Sequence, residues 1–291
     1  MLAADEVAIA KVPAAAAEVA PVEPPAPRRR LRWRSLYDAT WPKLAAVAIF
    51  VFAWQCVVWS GWRPEYVLPG PGSVARSLWT ITEDGLVRRA VAITFQRAII
   101  GFAASIAIGV ALGLAVASST IVRRAIGSMI TGIQTMPSIA WFPLAIALFQ
   151  LDEGAIRFVV ILGAAPAIAN GLITGIDHVP PLWLRAGRVI GARGISAYRH
   201  VILPATMPSF VGGLKQGWAF AWRSLMAGEL LVIIANQPSL GVLLSTDQDQ
   251  SDMASATAII IVILALGIIV HSLFSLADGA IRRRWGLTGS S

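Results

Sequence analysis

Apolar residues are distributed along this chain in long runs rather than at alternating or purely three-to-four spacing. Such runs cover residues 43–61, 93–118, 125–149, 155–176, 205–235 and 254–277. A helix needs about 20 apolar residues to cross the hydrocarbon core of a bilayer. The pattern therefore predicts an all-α integral membrane protein with six transmembrane helices. Between the first two runs, "LPGPGSVARSLWTI" places a proline-glycine turn ahead of Val74, Leu78 and Ile81. That spacing predicts a short amphipathic helix lying along the membrane surface.

The remaining segments are polar and punctuated. Residues 1–27 are rich in Ala, Pro, Glu and Val and read as a disordered tail; with the arginines that follow they form a basic flank through residue 42. Asp5 and Glu6 come early and no short apolar core follows a basic start, so a secretory signal is not expected. Residues 43–92 then hold the first span and its loop, residues 93–277 five further spans, and residues 278–291 a basic tail. Between the fourth and fifth runs, "RVIGARGISAYRHVILPATMP" interrupts the apolar pattern. Pro180 and Pro181 suit a helix start, Gly191 and Gly194 permit a bend, and a second short helix is expected to stop before Pro204.

Composition narrows the class. Of 291 residues 56% are hydrophobic and 14% are charged, with a formal net charge of +8. The basic residues cluster between apolar runs, which points to one membrane face rather than to nucleic acid. Clusters at residues 28–43, Arg123 and Arg124, Arg185 to Arg199 and residues 282–284 fall on one side of a six-span topology, and the loop 236–253 has Asp247, Asp249 and Asp252 but no Lys or Arg. Both termini are expected in the cytoplasm, with the interruption between spans four and five on the same side. The lone Cys56 excludes a disulfide within the chain, and His178, His200 and His271 are too scattered to suggest a metal site.

No G-x-x-x-x-G-K-[ST] phosphate loop occurs, and no nucleophile with a base is recognisable. The chain is therefore not expected to be an enzyme. Candidate pathway residues lie where spans are broken or polar: Gln134, Thr135, Pro137, Ser138 and Pro143 in the third, Pro166 and Asn170 in the fourth. The fifth carries Lys215, Arg223 and Glu229. A charge at a span centre costs about 2.5–3.5 kcal/mol on insertion scales. Arg223 and Glu229 are six residues and about 9 Å apart on a helix and lie on different faces, so a mutual bridge is not the first expectation. Arg223, beside Trp218 or Trp222, either lines the path and attracts an anion or pairs with another helix; Lys215 can snorkel to the surface. Trp218, Trp222, Arg223 and Glu229 join the pathway candidates, and Glu229 is also the acid that an ion-coupled secondary transporter, the competing class, would use.

The interrupting segment carries a resemblance. Permeases of binding-protein-dependent ABC importers have a cytoplasmic signature of Glu-Ala-Ala, three residues, Gly, nine residues, then Ile, any residue, Leu-Pro. This chain has Arg185, Ala186 and Gly187, three residues, Gly191, nine residues, then Val201, Ile202, Leu203 and Pro204. Ala186, Gly191, Leu203 and Pro204 match in identity; Arg185, Gly187 and Val201 depart from it, and Arg185 reverses a charge. "LPGPGSV", "IQTMPSIAWFPLAIALF" and "WRSLMAGELL" resemble the subgroup importing sulphonates, taurine, nitrate or bicarbonate. The resemblance runs from about Leu68 to the carboxyl terminus. It implies a coupling helix pair at 180–204, two copies of a cytoplasmic ATPase that hold ATP and Mg, a second permease copy, and an extracytoplasmic binding protein. The permease itself would bind no cofactor. The implied cargo is a small anion, most readily an aliphatic sulphonate or taurine, with nitrate, bicarbonate or a vitamin precursor as alternatives.

Overall fold

The computed structural model describes residues 33–83 and 85–284. The expected tail at 1–27, the arginines through Arg32 and residues 285–291 lie outside the described residues. The chain divides into two units, one ending at Phe50 and one beginning at Val51. All regular structure among the described residues is helical, in agreement with the reading from sequence.

Helix α1 spans Trp33–Trp59 and is apolar, with Leu44, Ile49 and Phe52 exposed. Helix α2, Pro71–Glu83, begins at the proline-glycine turn as expected. Its apolar stripe does not simply face lipid: Val74 is buried, and Ile81 packs against a cluster formed by Val87, Ala90, Leu240 and Ile259. Protein occupies the face expected at the membrane surface, because three later helices contribute apolar residues that cover it.

The long helix α3, Leu86–Ser118, is followed by α4, Thr120–Thr135, a single 3-10 turn at Ser138–Trp141, and α5, Phe142–Phe149. The next helices are α6, Glu153–Asp177, the short α7, Pro181–Val189, and α8, Ile195–Ala197. A π-turn at Tyr198–Ile202 joins α8 to α9, Leu203–Leu231; α10, Leu240–Asp249, and α11, Met253–Arg284, complete the chain.

Four segments are apolar and long enough to span a bilayer: Thr40–Trp59, Leu86–Ser118, Glu153–Asp177 and Met253–Arg283. The α4–α5 pair makes a fifth if it is counted as one span, but it bends by 107°. The span expected at 125–149 is thus a broken one, with the break at the Pro137 that the sequence singled out. Pro137 lacks an N–H and drives Met136 to an extended backbone (φ −78°, ψ 135°). At 29 residues α9 is long enough to span, about 43 Å, yet it is not among the helices apolar enough to count as candidate spans. Length and apolarity thus support four or five of the six expected spans.

Helix α6 lies at the centre, packed against α3 on one side and α9 on the other. Small residues permit the approach. A Cβ at Gly171 would fall 2.5 Å from the Gly213 Cα, and one at Gly109 would fall 2.7 Å from the Ala165 carbonyl oxygen, so both contacts need glycine. Membrane helices associate through such close packing because lipid tails offer little hydrophobic drive. Around this seam Phe102, Phe142, Ile156, Ile168, Trp218 and Leu225 form the main core.

Candidate functional site

Two charged regions on α9 and one hairpin beyond α6 hold the chemistry. The break between α4 and α5 opens a cavity of about 310 Å³ near the middle of α6. Gln134, Thr135, Pro137 and Ser138 line it from the break, Leu162 and Gly163 from α6, and Phe220 and Arg223 from α9. At the break the Ile133 carbonyl, left without its usual donor at Pro137, accepts the Met136 N–H instead at 3.3 Å. Asn170 fastens α6 to this end of α4: its Nδ2 donates to Gln134 Oε1 at 2.9 Å.

Arg223 borders this cavity and a second, of about 580 Å³, between α9 and α11. The second is lined chiefly by apolar groups, among them Trp218, Trp222, Ile263 and Leu264, with His271 at its edge. Trp218 and Trp222 stack at 6.1 Å, and Phe102 meets Trp218 edge-on at 5.2 Å. The guanidinium of Arg223 is aimed by its own helix: Nε donates to the Ala219 carbonyl at 3.1 Å, and the group lies 4.7 Å from the Phe220 ring centre. No carboxylate among the described residues pairs with it, so both terminal nitrogens keep their donors free for a ligand.

Glu229 lies in neither cavity. It is wholly buried, and both of its oxygens are occupied. Thr94 Oγ1 lies 3.0 and 3.1 Å from them, Arg97 donates from Nη1 at 3.1 Å, and the Gly241 N–H donates at 3.1 Å. Arg97, 5% exposed, also donates to Glu153 at 2.7 and 2.8 Å and to Gln237 at 3.0 Å. The network ties α3, α6 and α9 to the loop before α10. The reading of the sequence had grouped Glu229 with the pathway and missed Arg97, Glu153 and Thr94. Arg97 within the apolar run 93–118 was the available signal, since a cation inside a span demands a partner.

The segment after α6 forms a helical hairpin. Helix α7 ends in a Schellman arrangement: Gly191 N–H donates to the Arg188 carbonyl at 3.2 Å and Ala192 N–H to the Gly187 carbonyl at 2.9 Å. Gly191 has φ +88° and Gly194 φ +54°, so both expected bend glycines occupy the left-handed region. Gly187 and Val201, two departures from the motif, meet: a Cβ at Gly187 would lie 2.8 Å from Val201 Cγ2. The second leg does not stop before Pro204 as expected. The π-turn lets Leu203 N–H reach the Tyr198 carbonyl, and this wider turn admits the proline ring so that helix runs on into α9. Arg185, Ala186 and Leu203 are exposed, and Pro204 is half-buried.

These features agree with known proteins. Residues 105–283 match the family described as binding-protein-dependent transport system inner membrane component. The taurine transport system permease protein TauC of Escherichia coli (strain K12) is 26% identical over 256 residues, 82% of this chain and 90% of TauC. The putative aliphatic sulfonates transport permease protein SsuC of the same strain is 29% identical over 62% of this chain and 69% of its own. The nitrate import permease protein NrtB of Synechocystis sp. (strain ATCC 27184 / PCC 6803 / Kazusa) is 27% identical over 64% and 70%. Among solved structures, a chain of the MetNI methionine ABC transporter in inward-facing conformations shares the fold at TM-score 0.55, with 20% identity over 68% of this chain and 95% of that one. A chain of an amino acid ABC transporter does so at TM-score 0.56, with 18% identity over 71% and 97%. With a family match over more than half its length and an all-helical, membrane-length architecture, this chain belongs to the inner membrane components of binding-protein-dependent transport systems, the permeases of ABC importers.

Proposed function

We propose that this permease conducts a small organic anion, an aliphatic sulphonate or taurine, past Arg223, and that the 181–202 hairpin couples the path to a cytoplasmic ATPase. The observation that carries the solute reading is the unpaired guanidinium of Arg223 at a cavity opened by a proline break. A guanidinium presents parallel donors to sulphonate or carboxylate oxygens. The names of TauC and SsuC support the same solute class; nitrate and bicarbonate are the competing cargoes.

In this reading two ATPase subunits hold ATP and Mg, a second copy of the permease completes the path, and an extracytoplasmic binding protein delivers solute. Both termini and the hairpin face the cytoplasm. Ion coupling is disfavoured, because the oxygens of Glu229 are committed to Thr94, Arg97 and Gly241. The test is uptake of labelled taurine by the importer reconstituted with its ATPase and binding protein, wild type against Arg223→Gln. A large loss of uptake with ATPase association intact is expected. Unchanged uptake at equal protein level would remove Arg223 from the path, and competition by nitrate but not by sulphonates would reassign the cargo.

A further inference from the structure

The end of the bundle away from the hairpin holds a cavity that the path at Arg223 does not use. The hairpin joins the end of α6 to the start of α9, whereas this cavity, of about 280 Å³, lies where α3 and α6 begin and α9 has ended. Arg89, Gln96 and Arg97 line it from α3, Glu153 and Arg157 from α6, and Asn236 from the loop after α9. Arg89 and Gln96 are seven residues apart, close to two full turns, so they share one face of α3. Glu153 and Arg157, four apart, are neighbours on one face of α6. Three elements thus bring charged or amide side chains to one space.

The charges there do not cancel. Arg97 is spent on Glu153, Glu229 and Gln237. Those two carboxylates outweigh it by one negative charge, and Arg89 and Arg157 add two positive ones. Among the groups that line the cavity or bond to them, one positive charge is left over. Arg89 is exposed and makes no hydrogen bond or ion pair with a described residue. Arg157 is 47% exposed, and Glu153 lies 3.8 Å from its Nη2, too far for a hydrogen bond. Both guanidiniums therefore keep their forks of N–H donors.

We infer that this cavity binds a monovalent oxyanion, a sulphonate or a phosphodiester, between Arg89 and Arg157, with the Gln96 and Asn236 amides donating to a further oxygen. A single negative charge cancels the excess, whereas a dianion overshoots it beside Glu153. The site is separate from the cavity at Arg223: Glu229, bonded to Arg97, stands six residues and about 9 Å along α9 from Arg223. Its sidedness rests on the orientation proposed above, which opens it to the extracytoplasmic side. There a sulphonate solute or the phosphodiester of outer-leaflet phosphatidylglycerol supplies the same chemistry.

The test is equilibrium binding of labelled ethanesulphonate, and separately of short-chain phosphatidylglycerol, to the full-length permease in neutral detergent. Because Arg223 offers a second place for an anion, each measurement is made in wild type and in Arg223→Gln, where this cavity alone should bind. In that background Arg89→Gln and Arg157→Gln should each weaken binding about tenfold, and Arg157→Lys, which keeps the charge but not the fork, should weaken it less. Unfolding temperatures without probe should stay at the parent value, since neither side chain belongs to the buried network. Sulphate should compete less well than ethanesulphonate. Arginine-dependent binding of ethanesulphonate makes the site a station for solute, and arginine-dependent binding of phosphatidylglycerol alone makes it a lipid site; either supports the inference. Binding indifferent to both arginines, or no binding of either probe to Arg223→Gln, would overturn it and leave Arg223 in the path. Conversely, unchanged uptake by Arg223→Gln would remove the path at Arg223 and leave this site standing.

Discussion

Arg97 and Arg223 are both arginines on helices that pack in the bundle, yet the protein treats them oppositely. Arg97 is buried and shared between two carboxylates and an amide; Arg223 is exposed, borders a cavity and bonds only to the Ala219 carbonyl of its own helix. Burying an ion requires that its charge and hydrogen-bonding groups be answered locally. A cation saturated by the protein holds helices in place, and one left unsaturated at a cavity is available to a solute. Glu229, six residues from Arg223 on the same helix, belongs to the first kind despite its neighbour.

The most disruptive way to break this contrast is to remove one partner of the buried pair. Glu229→Leu should destabilise the protein by about 3 kcal/mol, since it takes one of the two carboxylates of Arg97 and leaves the buried Thr94 hydroxyl and the Gly241 N–H without their acceptor, and thermal unfolding in detergent should show it. Adding Arg97→Met should deepen the loss rather than relieve it, because Glu153 then loses its nearest cation. By contrast Arg223→Met should leave the unfolding temperature near wild type while lowering anion uptake by an amount corresponding to about 1.5–3 kcal/mol, the worth of a charged hydrogen bond. A fall in stability equal to that of the Glu229 variant would show that Arg223 is structural after all.

A third substitution touches neither charge. Gly191→Ala forces a side chain into φ +88° with open space around it, so only backbone strain of about 1–2 kcal/mol is expected. ATPase retention should fall, while the cavity and the buried cluster stay intact.

The smallest effect concerns charges in water. Asp252 caps α11 through the Ser255 N–H at 3.1 Å, and hydrogen bonds from Ser255 hold its pKa below the usual carboxylate value. Its stabilisation is therefore present above the unfolded-state pKa and is lost as pH falls through the depressed folded value. Asp252→Ala should cost about 0.5 kcal/mol near neutrality, and the difference from wild type should close in acid. Asp247 runs the other way: burial, then the charge of Asp252, raises its pKa, so its ionised form disfavours the fold and the penalty eases as pH falls through the raised value. Asp247→Asn should flatten that limb in unfolding temperatures measured against pH.

Much of this architecture is legible in one dimension. Runs of apolar residues located α1, α3, α6 and α11, because crossing a bilayer demands length and apolarity that single segments must supply themselves. The hairpin was legible too, since Gly191 and Gly194 announce backbone conformations that are local. Pro137 announced the break, but not the 107° angle at which the helix restarts, which neighbouring helices set. Pro204 misled in the other direction: the π-turn ahead of it depends on how α8 meets α9.

What the sequence determined by itself was membrane residence, the family through the spacing of Gly191, Leu203 and Pro204, and the candidate cation Arg223, all properties of composition or short-range spacing. Only the tertiary structure decided which charges are spent. Arg97 and Glu229 stand 132 residues apart, and their pairing exists because the small residues of α6 let α3 and α9 close around it. Among the described residues Arg223 has no carboxylate partner because the side of α9 it occupies borders a cavity, a fact of packing that no spacing along the chain encodes.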